Sequence, residues 1–390
     1  MLIKPKQNIE QIIARVSDKL ESDALIVGPI SDDLSMFRKV DVSGSFYNLG
    51  LFLGHCAIEL GYRFPKLKKK REDLNLRIID MYKDCYPQYL KQLQGVADAY
   101  GASVEAMDLT VMEHFFARMG YEGYRIKKSA KSGFKNMCTV TGATGSNGTT
   151  YIGRNLDTFN ITGFLVNSTM DGVYKTVNTS GEAYYNYAVD GINEKGLFAG
   201  EMSITDPKYK RNLKSRYPDV PSVYCAHMLR IILDTCANVN EAVSLLQKVP
   251  VWFTNDLWHI YIADSGGNFC IAEWDENGKI VLQRFDKKLI ATNTPIMEGD
   301  DKLNKCPRYS LADQLINSKN IDSHESIYQI MKSLSYRYDN TYLKKLVFKE
   351  TELKAMKYLK TVWTSTYDLD KLSMIIRYHE NGYSEIEMAF

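Results

Sequence analysis

The chain has 390 residues, 45% hydrophobic and 25% charged, with a formal net charge of +2. This composition predicts a soluble globular protein of one large or two ordinary domains with a sizeable core. The near balance of charge gives no global pull toward nucleic acid or an anionic membrane, and no apolar run approaches the ~20 residues of a membrane span.

Residues 1 to about 120 read as helical. Asn8–Val16 has apolar residues at helical spacing. A longer helical region covers Glu72–Tyr100, with an end or kink expected at Pro87. Ser103 is placed to cap a further helix starting at Val104. Residues 121–137 then mix Arg125, Lys127, Lys128, Lys131 and Lys135 with Gly and Ser, as an exposed basic connector does. The Lys66–Arg71 run reads as a solvated face in the same way.

From Cys138 onward the pattern changes to short β-rich runs separated by turn residues. Cys138–Asp157 reads as two strands joined at Ser146-Asn147-Gly148, a turn that calls for positive φ. Trp258–Ala263 and Phe269–Trp274 alternate around Asp264-Ser265-Gly266-Gly267 and predict a second hairpin. Further turns are expected at Asp275–Gly278 and His379–Gly382. Helices are expected near Val223–Ala237, Glu241–Gln247, Arg308–Ile316 and Ser323–Leu334. Antiparallel sheet with helices on its faces is the implied class, α+β.

The seven cysteines are Cys56, Cys85, Cys138, Cys225, Cys236, Cys270 and Cys306. Their odd number, scatter and lack of a CxxC pair argue against a disulfide framework or a zinc site. Met1–Gln7 has no apolar core, so no signal peptide is expected. A reduced, cytoplasmic setting follows. With no HExxH, Walker loop or GxGxxG, neither metal nor nucleotide cofactor is implied. The scattered histidines disfavour a papain-like Cys–His pair.

Cys138 stands apart from the other cysteines. A hairpin returns Arg154 and Asp157 toward it, and a thiol beside a fixed cation and a carboxylate is a plausible nucleophile.

The Cys138–Asp157 stretch resembles the mature N-terminus of the cysteine N-terminal-nucleophile hydrolases: a Cys-Thr start, then Gly-Arg-Asn-Leu-Asp. That group includes bile salt hydrolases, penicillin V acylases and the acyl-CoA:6-aminopenicillanate acyltransferase family. Asp190–Leu197, Ala291–Pro295, Cys306–Leu311 and Thr361–Asp368 are similar to its later segments in the same order. Ser43–Gly50 with Gly54, and Tyr86–Gly101, resemble the acyltransferase branch.

The resemblance implies a four-layer αββα sandwich of antiparallel sheets (residues 138–390) preceded by a mostly helical segment (residues 1–137). It implies self-cleavage between Met137 and Cys138, which gives Cys138 a free α-amine that serves as its own base. Arg154 would favour the thiolate, and Asp157 would accept a hydrogen bond from the amine. Asn293 would supply an oxyanion donor, with Ser203 or a neighbour supplying another, and Arg308 would hold the network. Tyr184, Tyr185 and Tyr187 either wall an acyl pocket or are half-buried sheet residues. The implied activity is hydrolysis of a linear amide in a small molecule or peptide. The alternatives are acyl transfer to an amine and, from a different class, an uncut binding protein of the same fold. A homo-oligomer is compatible with the resemblance.

Overall fold

The computed structural model describes residues 12, 15–17, 25–27, 37–113, 115–116, 137–158, 163–180, 185–204, 219–253, 257–275, 277–336, 360–378 and 384–390. The expected 121–136 connector, Tyr184, the His379–Gly382 turn and most of the Asn8–Val16 helix lie outside these residues; Ile12 and Arg15–Ser17 are helical.

Two strands, β1 (Leu25–Val27) and β2 (Phe37–Gly44), precede three helices: α1 (Phe46–Glu59), α2 (Glu72–Cys85) and α3 (Pro87–Ala99). Ser45 caps α1 by accepting the Asn48 N–H. Pro87 separates α2 from α3 because it opens α3 at a position where a missing N–H is harmless. The helices α1 and α3 touch backbone to backbone. A Cβ on Gly50 would sit 1.8 Å from Gln92 O, and one on Gly95 would sit 2.0 Å from Tyr47 O.

The helix expected after Ser103 is instead a single 3₁₀ turn, Val104–Ala106, with no side-chain cap. In the Lys66–Arg71 run, Arg71 pairs with Asp108 at 3.3 Å.

The remaining strands are β3 (Met137–Thr144), β4 (Thr150–Thr158), β5 (Gly163–Met170), β6 (Thr176–Ser180), β7 (Asp190–Asn193), β8 (Leu197–Ser203), β9 (Val223–Tyr224), β10 (Val251–Trp252), β11 (Trp258–Asp264), β12 (Asn268–Trp274), β13 (Ile280–Asp286), β14 (Lys288–Thr292), β15 (Lys360–Asp368), β16 (Ser373–Tyr378) and β17 (Ser384–Ala389). Interspersed are α4 (Cys225–Thr235), α5 (Val239–Lys248), the short α6 (Asp300–Leu303), α7 (Pro307–Ser318) and α8 (His324–Ser333).

One sheet has the order β1-β2-β5-β6-β7-β8-β11-β12-β13 and the other β14-β3-β4-β15-β16-β17. Within these two sheets the pairings are antiparallel except β2 with β5, which run parallel over Phe37↔Gly163 to Gly44↔Met170; β9 and β10 form a separate two-stranded parallel sheet. The first 137 residues are therefore not purely helical, and they contribute two strands to the larger sheet.

Alternation along each strand sorts the core into three layers. Val166, Ala199, Ile260, Ile262, Cys270 and Ala272 face α1 to α5. Leu165, Phe198, Tyr261 and Ile271 face the smaller sheet and meet Cys138, Val140, Leu156 and Trp363 there. Ala143, Tyr151 and Ile290, on the outer face of the smaller sheet, pack against α7 and α8. The result is helix, sheet, sheet, helix. Both predicted hairpins form: β3 pairs with β4, and β11 with β12. In the first turn only Gly148 has positive φ, at 83°. Asn147 acts there through its side chain, whose Oδ1 accepts the Thr149 N–H.

Candidate active site

Cys138 is the second residue of β3 and is paired with Leu156; Arg154 pairs with Val140, one step along the same face. The Cys138 and Arg154 side chains therefore both point between the sheets, and each is nearly fully buried. The guanidinium is anchored on three sides. Arg154 Nε donates to Tyr261 Oη at 2.7 Å, and Nη2 donates to Glu201 O at 3.2 Å and to Cys138 Sγ at 3.6 Å. Asp190 Oδ2 lies 3.7 Å from Nε and accepts from Ser365 Oγ, which holds the counter-charge in place. Tyr261 in turn donates to Glu201 O at 3.1 Å. Its ring has room to do so because Gly200 is its cross-strand partner; a Cβ there would sit 2.3 Å from Tyr261 Cε2.

The backbone of Cys138 meets a second set of groups. Its N–H donates to Asn293 Oδ1 at 2.8 Å. Arg308, on α7, donates through Nη1 to Cys138 O at 2.6 Å and to Thr139 Oγ1 at 3.0 Å, and through Nη2 to Asn293 Oδ1 at 3.0 Å. Asn293 Nδ2 donates to Ser203 O at 2.7 Å. Asp157 is the register partner of Met137. Its Oδ1 accepts from Thr361 Oγ1 at 2.5 Å, and its Oδ2 lies 3.8 Å from Arg308 Nη1 but has no hydrogen-bond partner among the described residues.

The structure thus brings Cys138, Arg154, Asp157, Asn293 and Arg308 together. The details are these. In the uncut chain the Cys138 amide N–H is taken by Asn293; the expected Asp157 partner concerns the amine of a cut chain. Ser203 presents its carbonyl, an acceptor, toward the Asn293 amide. Tyr185 and Tyr187 are not strand residues: they sit in a turn and its continuation, buried against the helical layer. Tyr185 Oη donates to Asp234 and Tyr187 Oη to Glu113. Cys306 occupies the position before α7, where its thiol lies 3.4 Å from Thr292 Oγ1.

Burial dominates the electrostatics. It pushes the Cys138 thiol above its ordinary value; Arg154 opposes this, Asp157 adds to it, and the Asp157 backbone N–H and Arg308 oppose it again. Asp157 is pushed up to about 7 by burial, against the pull of Arg308, Thr361 and Arg154. Glu201 is pushed up to about 8 by burial, against Arg154. Burial also raises Tyr261, so its hydroxyl keeps its proton and donates.

Tyr261, Asp190, Thr361 and Ser365 are site residues that sequence reasoning missed as such. Asp190 had a signal, a carboxylate alternating with Ile192 on a buried strand. Nothing in the run Ile260-Tyr261-Ile262 marks its tyrosine.

The site thus holds a buried thiol beside a fixed guanidinium, with a buried carboxylate near its backbone, in a helix–sheet–sheet–helix sandwich. The model of the acyl-coenzyme A:6-aminopenicillanic acid acyl-transferase family matches residues 143–383, more than half the chain. The protein belongs to that family. The match begins just after Cys138.

Among solved structures, the chain is similar to penicillin V acylase from Agrobacterium tumefaciens, with 19% identity over 65% of this chain and 86% of that one and a TM-score of 0.49. It is also similar to a variant of conjugated bile acid hydrolase from Clostridium perfringens, with 17% identity over 64% and 92% and a TM-score of 0.47. Comparison with curated protein sequences gives no match. No helix among the described residues is long and apolar enough to cross a membrane.

Proposed function

We infer that the chain is a self-processing cysteine amidohydrolase that carries the acyl group on Cys138. The observation behind this reading is an unfilled acceptor near the Cys138 backbone: Asp157 Oδ2 lies 3.8 Å from the Arg308 Nη1 that also donates to Cys138 O. As an amide, the Cys138 nitrogen has one N–H, and Asn293 takes it. Asp157 Oδ2 is buried and accepts no hydrogen bond from the described residues. Cutting the Met137–Cys138 bond would convert the amide to an ammonium with three donors. One stays with Asn293 and another can reach the orphan carboxylate oxygen, whose charge the ammonium also offsets.

In the cut, Cys138 Sγ attacks the Met137 carbonyl carbon. A thioester forms, the C–N bond breaks, and the nitrogen takes the thiol proton. Water then hydrolyses the thioester and frees the thiol. In turnover the amine serves as the base for its own thiol. The two groups ordinarily titrate near 8 and 8.5, so proton transfer between them costs only about 1 kcal/mol before the site acts. Arg154 stabilises the thiolate, and Asn293 Nδ2, oriented by Ser203 O, donates to the tetrahedral oxyanion. The leaving amine takes its proton from the α-ammonium, and water releases the acid.

Membership of an acyl-transferase family favours one further reading, in which an amine replaces water in the last step. A small-amine acceptor added to one acyl donor separates the two: product shifts from acid to amide only if transfer competes.

Intact mass tests the core of the proposal. The wild-type chain is expected as fragments of 137 and 253 residues (390 − 137). Cys138→Ala is expected as one species of 44.6 kDa without turnover on a panel of N-acyl amides. A wild-type protein that stays whole and inert would leave only a binding role for the fold.

A further inference from the structure

Away from Cys138, one buried carboxylate, with an imidazole beside it, is aimed at the loop that carries Asn293. Glu273, on β12, shares the inter-sheet face with Phe269 and Ile271. It is fully buried, and its carboxylate accepts two successive backbone N–H groups: Oε1 from Ile296 at 2.8 Å and Oε2 from Met297 at 2.7 Å. His259 Nδ1, from neighbouring β11, lies 2.5 Å from Oε1. Burial pushes the Glu273 carboxyl up, but His259 and the two N–H groups outweigh it and hold the group below its usual value.

A 3₁₀ turn of three residues, Ile296–Glu298, does not need this much. Exposed turn starts are satisfied by water or a single hydroxyl. A buried carboxylate adds little net stability over apolar packing, so it is weak evidence for a stabilising role. What it does provide is a fixed position. Pro295 (φ −64°, ψ 130°) stiffens the link between the clamped Ile296 and Asn293. At the other end, His259 pairs with Met202, and the next residue, Ser203, receives the Asn293 amide. The ends of β8, β11 and β12 and the loop therefore close a ring around Asn293.

We propose that Glu273, supported by His259, is a positioning residue that holds Asn293 in register with the Cys138 nitrogen. This rests on the reading of Cys138 given above. Glu273 touches no reacting group and acts only through the Ile296–Met297 backbone. A shift of 1 Å would break the bonds that Asn293 Oδ1 accepts at 2.8 and 3.0 Å, and displacements of that size can lower turnover about a hundredfold.

Two variants test the clamp from opposite sides. Glu273→Gln sets an amide NH₂ against a backbone N–H or the imidazole. Ile296→Pro deletes one donor and leaves the carboxylate intact. Pro295 already has the extended ψ that a following proline requires, and a proline is tolerated at the first position of a turn. Both should slow separation at Met137–Cys138 about tenfold or more. Both should lower kcat per titrated active site by about 10–100-fold on N-acyl amides while KM stays within about threefold. A purely structural role would lower the thermal midpoint and the titrated fraction but leave kcat per active site unchanged; that result in both variants overturns the clamp. If Glu273→Gln does not fold, Ile296→Pro decides alone. An uncut and inert wild-type control instead overturns the reading of Cys138 itself.

Discussion

Asp157 offers the most direct test of the buried charge at the site. Its carboxyl is wholly buried, which pushes it up to about 7 from an ordinary 3.8. A carboxyl raised by folding binds its proton more tightly in the native state, so its stabilising contribution is complete below the unfolded value. That contribution is lost as pH rises through the folded one. With these two values, the uncut chain should lose about 2–3 kcal/mol between pH 5 and 8 from this group alone. The comparison is Cys138→Ala against Cys138→Ala with Asp157→Asn, both uncut, so only the titrating carboxyl differs. Glu201, pushed up to about 8, titrates in both and cancels. Asparagine keeps an acceptor for Thr361 and has no charge to bury. Urea midpoints followed from pH 5 to 8 should diverge, with the Asp157→Asn chain gaining relative stability as pH rises. Parallel pH profiles, or divergence in the opposite direction, would refute the electrostatic account. In the wild-type background the same substitution should abolish turnover, because the ammonium loses its counter-charge. A group that destabilises the precursor at neutral pH would then be required after the cut.

Arg154→Lys keeps the charge but not the geometry that joins Tyr261, the Glu201 carbonyl and the thiol. Losing one such charged hydrogen bond, about 1.5–3 kcal/mol, should slow fragment formation by roughly 10–100-fold in a mass time course. Gly95→Ala puts a Cβ 2.0 Å from Tyr47 O and 2.6 Å from Leu51 N. Since backbone cannot step aside as a flexible side chain can, a destabilisation of about 1–3 kcal/mol or more is expected in thermal unfolding.

The parts of the fold legible in the sequence are those set by local chemistry. Pro87 ends one helix and starts the next. Asn238 and Ser323 cap helices close to where apolar spacing put them. Gly148 and the glycines after Asp264 fix two hairpins, the first of which brings Arg154 back to Cys138. The rest depends on non-local pairing. Phe37–Gly44 offers only a short Val40-Asp41-Val42 alternation among polar residues, and its partner, β5, starts beyond residue 160. A parallel partner that far along the chain leaves no mark in either segment. The same holds at the site. Asn293 and Arg308 were placed by resemblance, whereas Tyr261 and Thr361 join it only because the sheets stack and β15 pairs with β4.

Sulfur and nitrogen of Cys138 sit in separate surroundings, and this bears on how one residue can act both before and after chain cleavage. The sulfur lies between the sheets, and its cation is fixed by Tyr261, Glu201 O and Asp190, none of which contacts the bond to Met137. The nitrogen and carbonyl lie toward α7, against Asn293, Arg308 and the neighbouring Asp157. Breaking the chain before Cys138 changes the donors and charge of the second set and leaves the first as it was. If the chain is cut as proposed, the thiol meets the same Arg154 when it attacks its own chain as when it attacks a substrate. On the proposed reading, the cut adds a base, and the unfilled Asp157 oxygen is the acceptor proposed for it.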